Sequence, residues 1–325
     1  METILFLAHA EPAGSPLRKQ SLEALNAANA LAESLGTDLC VGLVGDNVQD
    51  AADAIASCGA VRFLAVSGSE FAEPRYVTDA AAAEALCRAA GATVVITPAT
   101  SRWNRVVAGV SHRLGGRVDT HVTGLNAGDG TLHVTRWVYR QRMQTVLSRS
   151  QRPWVIAVEG GIAPAWEGEA GSATLESVEV APSGEGVRSR VTGIQAPASD
   201  QQTIRPDAEV LLVAGAGWTK QQADGEVKAA EAESLILDFL EKTQGSLGST
   251  KSLVDLGGEG QAVLSCLSHL NQIGQTGSTP RHAKGLSTCC HGEEPHTVGW
   301  RFVGQRRAIS LDPACGWARG KADVL

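Results

Sequence analysis

The sequence predicts an α/β protein of two domains, each a mostly parallel sheet covered by helices. Its 325 residues are enough for about two domains of ~150 residues each. Hydrophobic residues make up 43% of the chain and charged residues 19%, the composition of a soluble protein with sizeable cores. Apolar runs of strand length alternate with amphipathic helical segments in both halves, which is typical of parallel sheets.

The first half contains four predicted strands separated by three predicted helices. The strands are "TILFLAHA", "DLCVGLVG", "AVRFLAVSG" and "ATVVITPAT", and the helices are "PLRKQSLEALNAANALAESLG", "NVQDAADAIASCG" and "TDAAAAEALCRAAG". The first helix has apolar residues at helical spacing, and Gly36 is predicted to end it. Strands separated by helices of this length indicate a parallel sheet covered on both faces.

From about residue 117 the pattern changes to hairpin-type strands, "DTHVTGLNAGDGTLHVTRWVY" and "WVIAVEGG", with a turn signal at Asp129-Gly130. A Gly-, Pro- and Ser-rich segment with one short strand, "LESVEV", follows, and a new α/β pattern starts at "AEVLLVAGAGWTK". We therefore predict an N-terminal domain at residues 1–162, a linker with short strands at 163–207 and a C-terminal domain at 208–325. Because the chain ends on a predicted strand, we expect the last helix of the C-terminal domain to lie beyond Leu325.

The net charge and the apolar runs of the chain argue against a nucleic-acid partner and a membrane span. A net charge of −7 provides no basic surface for nucleic acid. No apolar run reaches the ~18–20 residues that cross a bilayer, and the N-terminus lacks the basic region of a signal peptide. We expect a cytoplasmic protein without a membrane span or a nucleic-acid partner. The stretch "RWVYRQRMQ" (136–144) mixes arginines with aromatics, which in a negative chain favours an exposed sheet face or a subunit contact over an RNA site.

Three short loops after predicted strands of the second domain could contact a cofactor. Gly215 and Gly217 directly follow "VLLVA", "GSTKS" (248–252) offers hydroxyls and a lysine, and "QIGQTG" (272–277) supplies an amide, a hydroxyl and backbone N–H groups. Ligands of parallel α/β sheets bind at the carboxyl ends of the strands, where glycines let phosphates approach the backbone. Each loop alone is also compatible with a tight strand-to-helix turn, because no complete dinucleotide or P-loop motif is present.

The cysteines of the second half allow a different cofactor. The chain has seven cysteines, and three of them in the first half lie in apolar contexts typical of buried thiols. The other four, together with nearby histidines, could bind zinc or an iron–sulfur cluster: Cys266, Cys289, Cys290 and Cys315 with His282, His291 and His296. No CxxC or HxxxH pair anchors such a site, so a flavin nearby and a loop with buried thiols remain alternatives.

Several motifs of the chain resemble those of one known family. "QIGQTG" is combined with a G-x-x-x-H pair at Gly292 and His296, "GSTKSLVD" (248–255) is similar to a G-A-S-R-x-x-V-D segment, and "AISLDP" (308–313) to a strand reading A-I-N-x-D-P. The second domain resembles the FAD-binding domain of the electron transfer flavoprotein α subunit, and the similarity covers nearly the whole chain.

The resemblance implies a Rossmann-like second domain that binds FAD, an αβ heterodimer in which the first domain contacts the β subunit, and electron transfer from a flavin-dependent dehydrogenase to a downstream acceptor. It describes a carrier without substrate chemistry of its own. Thr250 would lie near the flavin, Lys251 beside the isoalloxazine, and His296 near the pyrimidine oxygen. The full set of implied cofactor-binding residues is Gly217, Thr250, Lys251, Ile273, Gly274, Gln275, Thr276, Gly277, His291, Gly292, His296 and Ser310.

This chain also departs from the family at several of these positions. Lys251 replaces an arginine, Gly217 stands at another arginine position, His291 replaces a serine and Ser310 replaces an asparagine. The acidic pair 293–294 would repel a pyrophosphate. These departures favour an alternative hypothesis: a degenerate α subunit that serves as a structural or docking module of a larger oxidoreductase complex, with its cofactor site lost or repurposed for a metal or iron–sulfur cluster.

Overall fold

The computed structural model describes most of the chain and divides it into two compact units, Met1–Ile194 and Gln195–Leu325. The described residues are 2–11, 17–128, 130–139, 143–180, 189–193, 204–205, 208–219, 225–254 and 264–273, with 284–288 and 309–311 described as backbone strands. Each unit contains its own sheet. The predicted boundaries at residues 162 and 207 stay a prediction.

The described part of the first unit has a nine-stranded sheet in the order β7-β6-β5-β8-β4-β1-β2-β3-β9. The neighbouring pairs β5–β6 and β6–β7 are antiparallel, and all the other neighbours are parallel. The strands are β1 Ile4–His9, β2 Leu39–Gly45, β3 Arg62–Ser67, β4 Val94–Pro98, β5 Arg117–Gly128, β6 Thr131–Val138, β7 Met143–Leu147, β8 Trp154–Val158 and β9 Leu175–Ser177. The predicted α/β fold with a mostly parallel sheet is confirmed for this unit.

Helices cover both faces of this sheet, as the alternation of strands and helices predicts. The helices are α1 Lys19–Leu35, α2 Gln49–Ala54, α3 Tyr76–Ala90, α4 Ser101–Asn104 and α5 Val107–Arg113. The buried residues of α1 and α2 join one hydrophobic core with β1, and those of α3 and α5 join a second core on the opposite face. Gly36 takes the left-handed conformation (φ 58°) that ends α1, which confirms its predicted role.

Two strands lie in places that the sequence pattern did not indicate. We predicted "WVIAVEGG" as a hairpin-type strand, but β8 pairs in parallel with both β4 and β5. All five of its residues are buried, as in a central strand covered on both sides. The short strand β9, from the segment predicted as a linker, pairs with β3 at the far edge of the same sheet.

The described part of the second unit contains a four-stranded parallel sheet in the order β11-β10-β12-β13. Its strands are β10 Val210–Ala214, β11 Ser246–Ser249, β12 Lys284–Thr288 and β13 Ile309–Leu311, and its helices are α6 Ala229–Thr243 and α7 Lys251–Val254. The apolar stripe of α6, with Ile236 and Leu240, packs on Leu212 and Leu247 of the sheet. Every strand therefore presents its carboxyl end at the same edge, where α/β proteins bind ligands.

None of the helices described for this chain combines the length and the apolar character that crossing a bilayer requires.

Candidate functional site

The carboxyl edge of the second sheet brings two of the three predicted loops together. β10 ends at Ala214 and β11 ends at Ser249, and these two residues are register partners. The backbone N–H of Thr250 donates to the carbonyl oxygen of Ala214 at 2.9 Å. The loop that begins at Gly215 therefore starts beside the loop that contains Thr250. This adjacency follows from parallel pairing, since both loops leave the sheet at the same edge.

The third predicted loop begins beside the same strand end. Gln272 forms a parallel bridge with Ser249, and the backbone N–H of Ile273 donates to the Ser249 carbonyl at 2.9 Å. The side chain of Ile273 packs over Gly248, where a Cβ would lie 1.8 Å from its Cδ1. The first two residues of "QIGQTG" are thus held against β11, and the rest of the loop, Gly274–Gly277, lies outside the described residues.

A short 3-10 turn fixes the position of Gln272 and Ile273, and our sequence reasoning missed it. Ser268 and Asn271 form a reciprocal capping box over residues 269–271. Asn271 is fully buried, and its Nδ2 donates to the carbonyl oxygen of Leu247 in β11 at 3.0 Å. The Ser-x-x-Asn spacing in front of "QIG" was a signal that could have identified this anchor.

Hydroxyl groups and one lysine are concentrated at the end of β11. Ser249 is fully buried, and no hydrogen-bond partner for its Oγ is found among the described residues. The Oγ1 of Thr250 and the Oγ of Ser252 lie 3.1 Å apart, and Lys251 begins α7 with an exposed side chain. Hydroxyls and an ammonium are donors to electron-rich ring atoms and phosphate oxygens, so this set fits an anionic cofactor.

Gly217 lies in the 3-10 helix Ala216–Thr219 that follows β10, and this helix contacts α7. Its neighbour Trp218 packs against the core formed with α6. At the position where the resemblance implies an arginine, this chain places a residue without a side chain.

The remaining predicted site residues are described only in part or not at all. Ser310 lies on β13, where its backbone is the register partner of Ser287 in β12. The predicted residues His291, Gly292 and His296 lie outside the described residues, as do Cys289, Cys290 and Cys315. Their roles stay predictions.

The described residues do not bring together a metal site. Among them, no group of three or more His, Cys, Asp or Glu side chains is placed to hold a metal ion. Cys266 is buried beside α6, its backbone N–H donates to the Glu233 carboxylate at 2.9 Å, and burial together with that carboxylate raises the pKa of its thiol to about 12. Cys266 is therefore a protonated core thiol at neutral pH. Cys40, Cys58 and Cys87 are also buried free thiols, as predicted.

The sequence of the chain is similar to a known protein family and to one curated relative. The family model of the electron transfer flavoprotein domain matches residues 7–183, just over half of the chain. One curated relative, Protein FixB from Clostridium saccharobutylicum, is 24% identical over 309 residues, which cover 93% of this chain and 86% of the relative.

Proposed function

The chain belongs to the electron transfer flavoprotein family, of the α-subunit type that its sequence resembles, and on that premise we propose that its second domain binds FAD. The observation that carries this proposal is the convergence of three loops on one sheet edge, through Ala214, Ser249 and Gln272. A Rossmann-like domain places its cofactor at such an edge. The described donors there suit a cofactor with an electron-rich ring and phosphates.

The residues of this edge would each make a different contribution. Gly215 and Gly217 would let the cofactor approach the backbone, since neither carries a Cβ. Thr250 would donate a hydrogen bond to the ring, and Lys251 would place positive charge beside it. Bound FAD would supply the ability to accept and release electrons. Negative charge on the reduced ring is stabilised by such a cation, which raises the reduction potential of the flavin.

The predicted loop residues complete the proposed site. We propose that Gln275 and Thr276 contact the ring or the ribityl chain and that His296 lies near the pyrimidine oxygen. Gly274, Gly277 and Gly292 would allow close approach of the backbone, and His291 and Ser310 would face the phosphate and adenosine ends. Ile273, held against Gly248, supports the start of this loop.

We further propose that the chain forms a heterodimer with a β-type subunit, which contacts an N-terminal domain at residues 1–162. A linker at 163–207 would join this domain to the FAD domain at 208–325. In this heterodimer the chain would carry electrons in the cytoplasm from a flavin-dependent dehydrogenase to a downstream acceptor. The family membership supports the carrier role, and it is the basis for expecting both partners.

The affinity of the heterodimer for FAD tests this proposal. Thr250→Val removes the hydroxyl and keeps the shape, so we expect the Kd for FAD to rise about three- to tenfold through the loss of one hydrogen bond. The matched control is Thr243→Val at the exposed end of α6, where the hydroxyl donates to a helix carbonyl. It should leave the Kd unchanged. Equal Kd values for the two variants would show that Thr250 does not contact FAD. If the unaltered heterodimer does not bind FAD, the proposal is overturned.

A further inference from the structure

Strand β7 forms an outer edge of the first unit's sheet, beside β6. An edge strand leaves alternate backbone N–H and C=O groups without a sheet partner, and natural proteins usually guard such edges with a lysine, a proline or a bulge. β7 reads MQTVL, with no charged residue and no proline, and its pairing with β6 is regular from Val134 to Val138. Within the described residues Met143–Leu147, β7 therefore has no lysine, proline or bulge that would prevent another strand from pairing with it.

Large apolar side chains of the β6–β7 hairpin are exposed. Tyr139 is 75% exposed, Met143 56% and Val146 67%. Tyr139 holds a left-handed backbone conformation (φ 51°) directly after β6, which is uncommon for a residue with a side chain. Contact surfaces between proteins are enriched in aromatic residues and methionine, and isolated domains seldom expose several such groups together.

The hairpin is basic although the chain as a whole is acidic. Between Thr131 and Leu147 the sequence has three arginines and no aspartate or glutamate, whereas the chain carries a net charge of −7. Arg149 follows β7, and Arg152 is already paired with Glu2. In the described residues, Arg136 and Arg149 both bind the single buried carboxylate of Asp119, so this group retains one net positive charge. Two copies of this edge would repel one another, whereas a strand flanked by acidic side chains would be attracted.

We propose that β7 is the site at which the β-type subunit docks, by adding one of its own strands, flanked by acidic side chains, to the edge of this sheet. The inference rests on the heterodimer of the proposed function and adds the surface and its chemistry. The backbone ladder of the added strand supplies affinity, and Tyr139, Met143 and Val146 supply apolar anchors beside it. The arginines select an acidic partner and disfavour a second copy of this chain.

The test compares two matched variants of the full chain, each co-expressed with the β-type subunit. Val146→Glu places a negative charge in the docking surface, and Val61→Glu makes the same change at a residue that is 58% exposed outside the hairpin. Because both side chains point into water, neither change should disturb the fold. Val146→Lys provides a third variant, which keeps the positive sign of the hairpin.

We expect Val146→Glu to raise the Kd of the heterodimer by at least about tenfold, equivalent to about 1.4 kcal/mol, and Val146→Lys to raise it less. Val61→Glu should leave the Kd unchanged. A heterodimer that forms equally tightly with Val146→Glu and with the unaltered chain overturns the docking site but leaves the proposed function standing. If the unaltered chain itself does not pair with the β-type subunit, the heterodimer and this docking site are both overturned.

Discussion

Lys251 is the residue whose side chain should most affect the reduction potential of the proposed flavin. It begins α7 directly after Thr250, whose backbone is hydrogen-bonded to the end of β10. A lysine provides the positive charge of the arginine implied by the resemblance but not its planar set of donors. The charge, rather than a two-pronged hydrogen bond, should therefore determine its effect on a flavin.

Replacing Lys251 by glutamine should lower the reduction potential of the bound flavin by about 30 mV, because a charge that stabilises the reduced ring is lost. Lys251→Arg should keep the potential near that of the unaltered protein. The control is Lys242→Gln, which removes an exposed lysine paired with Asp238 on α6. A spectroscopic redox titration measures all three. A potential that is the same in the Lys251→Gln and Lys242→Gln variants would contradict a place for Lys251 beside the flavin.

His9 at the end of β1 is a buried ionisable residue of the first unit. Its ring stacks on Trp103 at a centroid distance of 4.1 Å, and its Nε2 lies 3.5 Å from Oδ1 of Asp79. Burial lowers the pKa of His9 below the ordinary value of a histidine, although the hydrogen bond with Asp79 acts in the opposite direction. Asp79 already binds Arg102 and Arg105. The charge of Arg102 opposes protonation of the ring, and that of Glu11 favours it.

The sign of this shift predicts how stability depends on pH. The unfolded chain binds a proton at His9 more readily than the folded protein does. The contribution of His9 to the free energy of unfolding is therefore fully present above pH 6.5, the ordinary pKa, and is lost as the pH falls toward the lower pKa of the folded state. His9→Phe keeps an aromatic ring and should make the melting temperature less sensitive to pH between 7.5 and 5.5 (roughly the range that brackets a histidine pKa). The same substitution at the exposed His112 serves as the control. An unchanged pH dependence in His9→Phe would refute this account.

Asp119 joins the antiparallel strands to the parallel part of the first sheet. Its carboxylate, on β5, accepts from Nη1 of Arg136 on β6 at 2.7 Å and from Nε1 of Trp154 on β8 at 2.9 Å, and it also binds Arg149 beyond β7. Burial opposes its ionisation, but hydrogen bonds from Arg149, Trp154 and Arg136 outweigh burial and lower its pKa. One buried carboxylate thus fixes three neighbouring segments.

Asp119→Asn should destabilise the protein by about 3 kcal/mol or more, because two arginines lose the negative charge that they share. Glu176→Gln, which breaks the exposed pair between β9 and Arg62, should change stability very little. Chemical denaturation followed by circular dichroism compares the two variants. Equal stabilities would show that the Asp119 cluster does not hold the hairpin strands to β8.

The sequence pattern predicted neither the pairing partners of β8 nor the contact that positions Gln272. The apolar run "WVIAV" is typical of a buried strand. Its pairing partners, however, depend on contacts that are distant in sequence. β8 lies between β4 and β5 rather than in a hairpin. The capping box of Ser268 and Asn271 is a local signal that we did not use. Its consequence, the bond from Asn271 to Leu247, depends on a strand more than twenty residues earlier and could not be predicted from local pattern.

The alternation of strands and helices along the chain was sufficient to predict the α/β class and the parallel sheets. The loops after β10 and β11 could be placed together from sequence, because carboxyl ends of parallel strands share an edge. The bridge from Gln272 to Ser249 could not, because it joins residues more than twenty positions apart and no local pattern indicates it. We propose that this edge holds FAD although Lys251 and Gly217 depart from the family.

The absorbance spectrum of the purified heterodimer shows whether it contains a flavin. We predict the near-ultraviolet and visible bands of an oxidised flavin, with FAD released on denaturation. A colourless heterodimer, or one with only the broad absorbance of an iron–sulfur cluster, would contradict the claim and favour the alternative of a docking module whose cofactor site has been lost or repurposed.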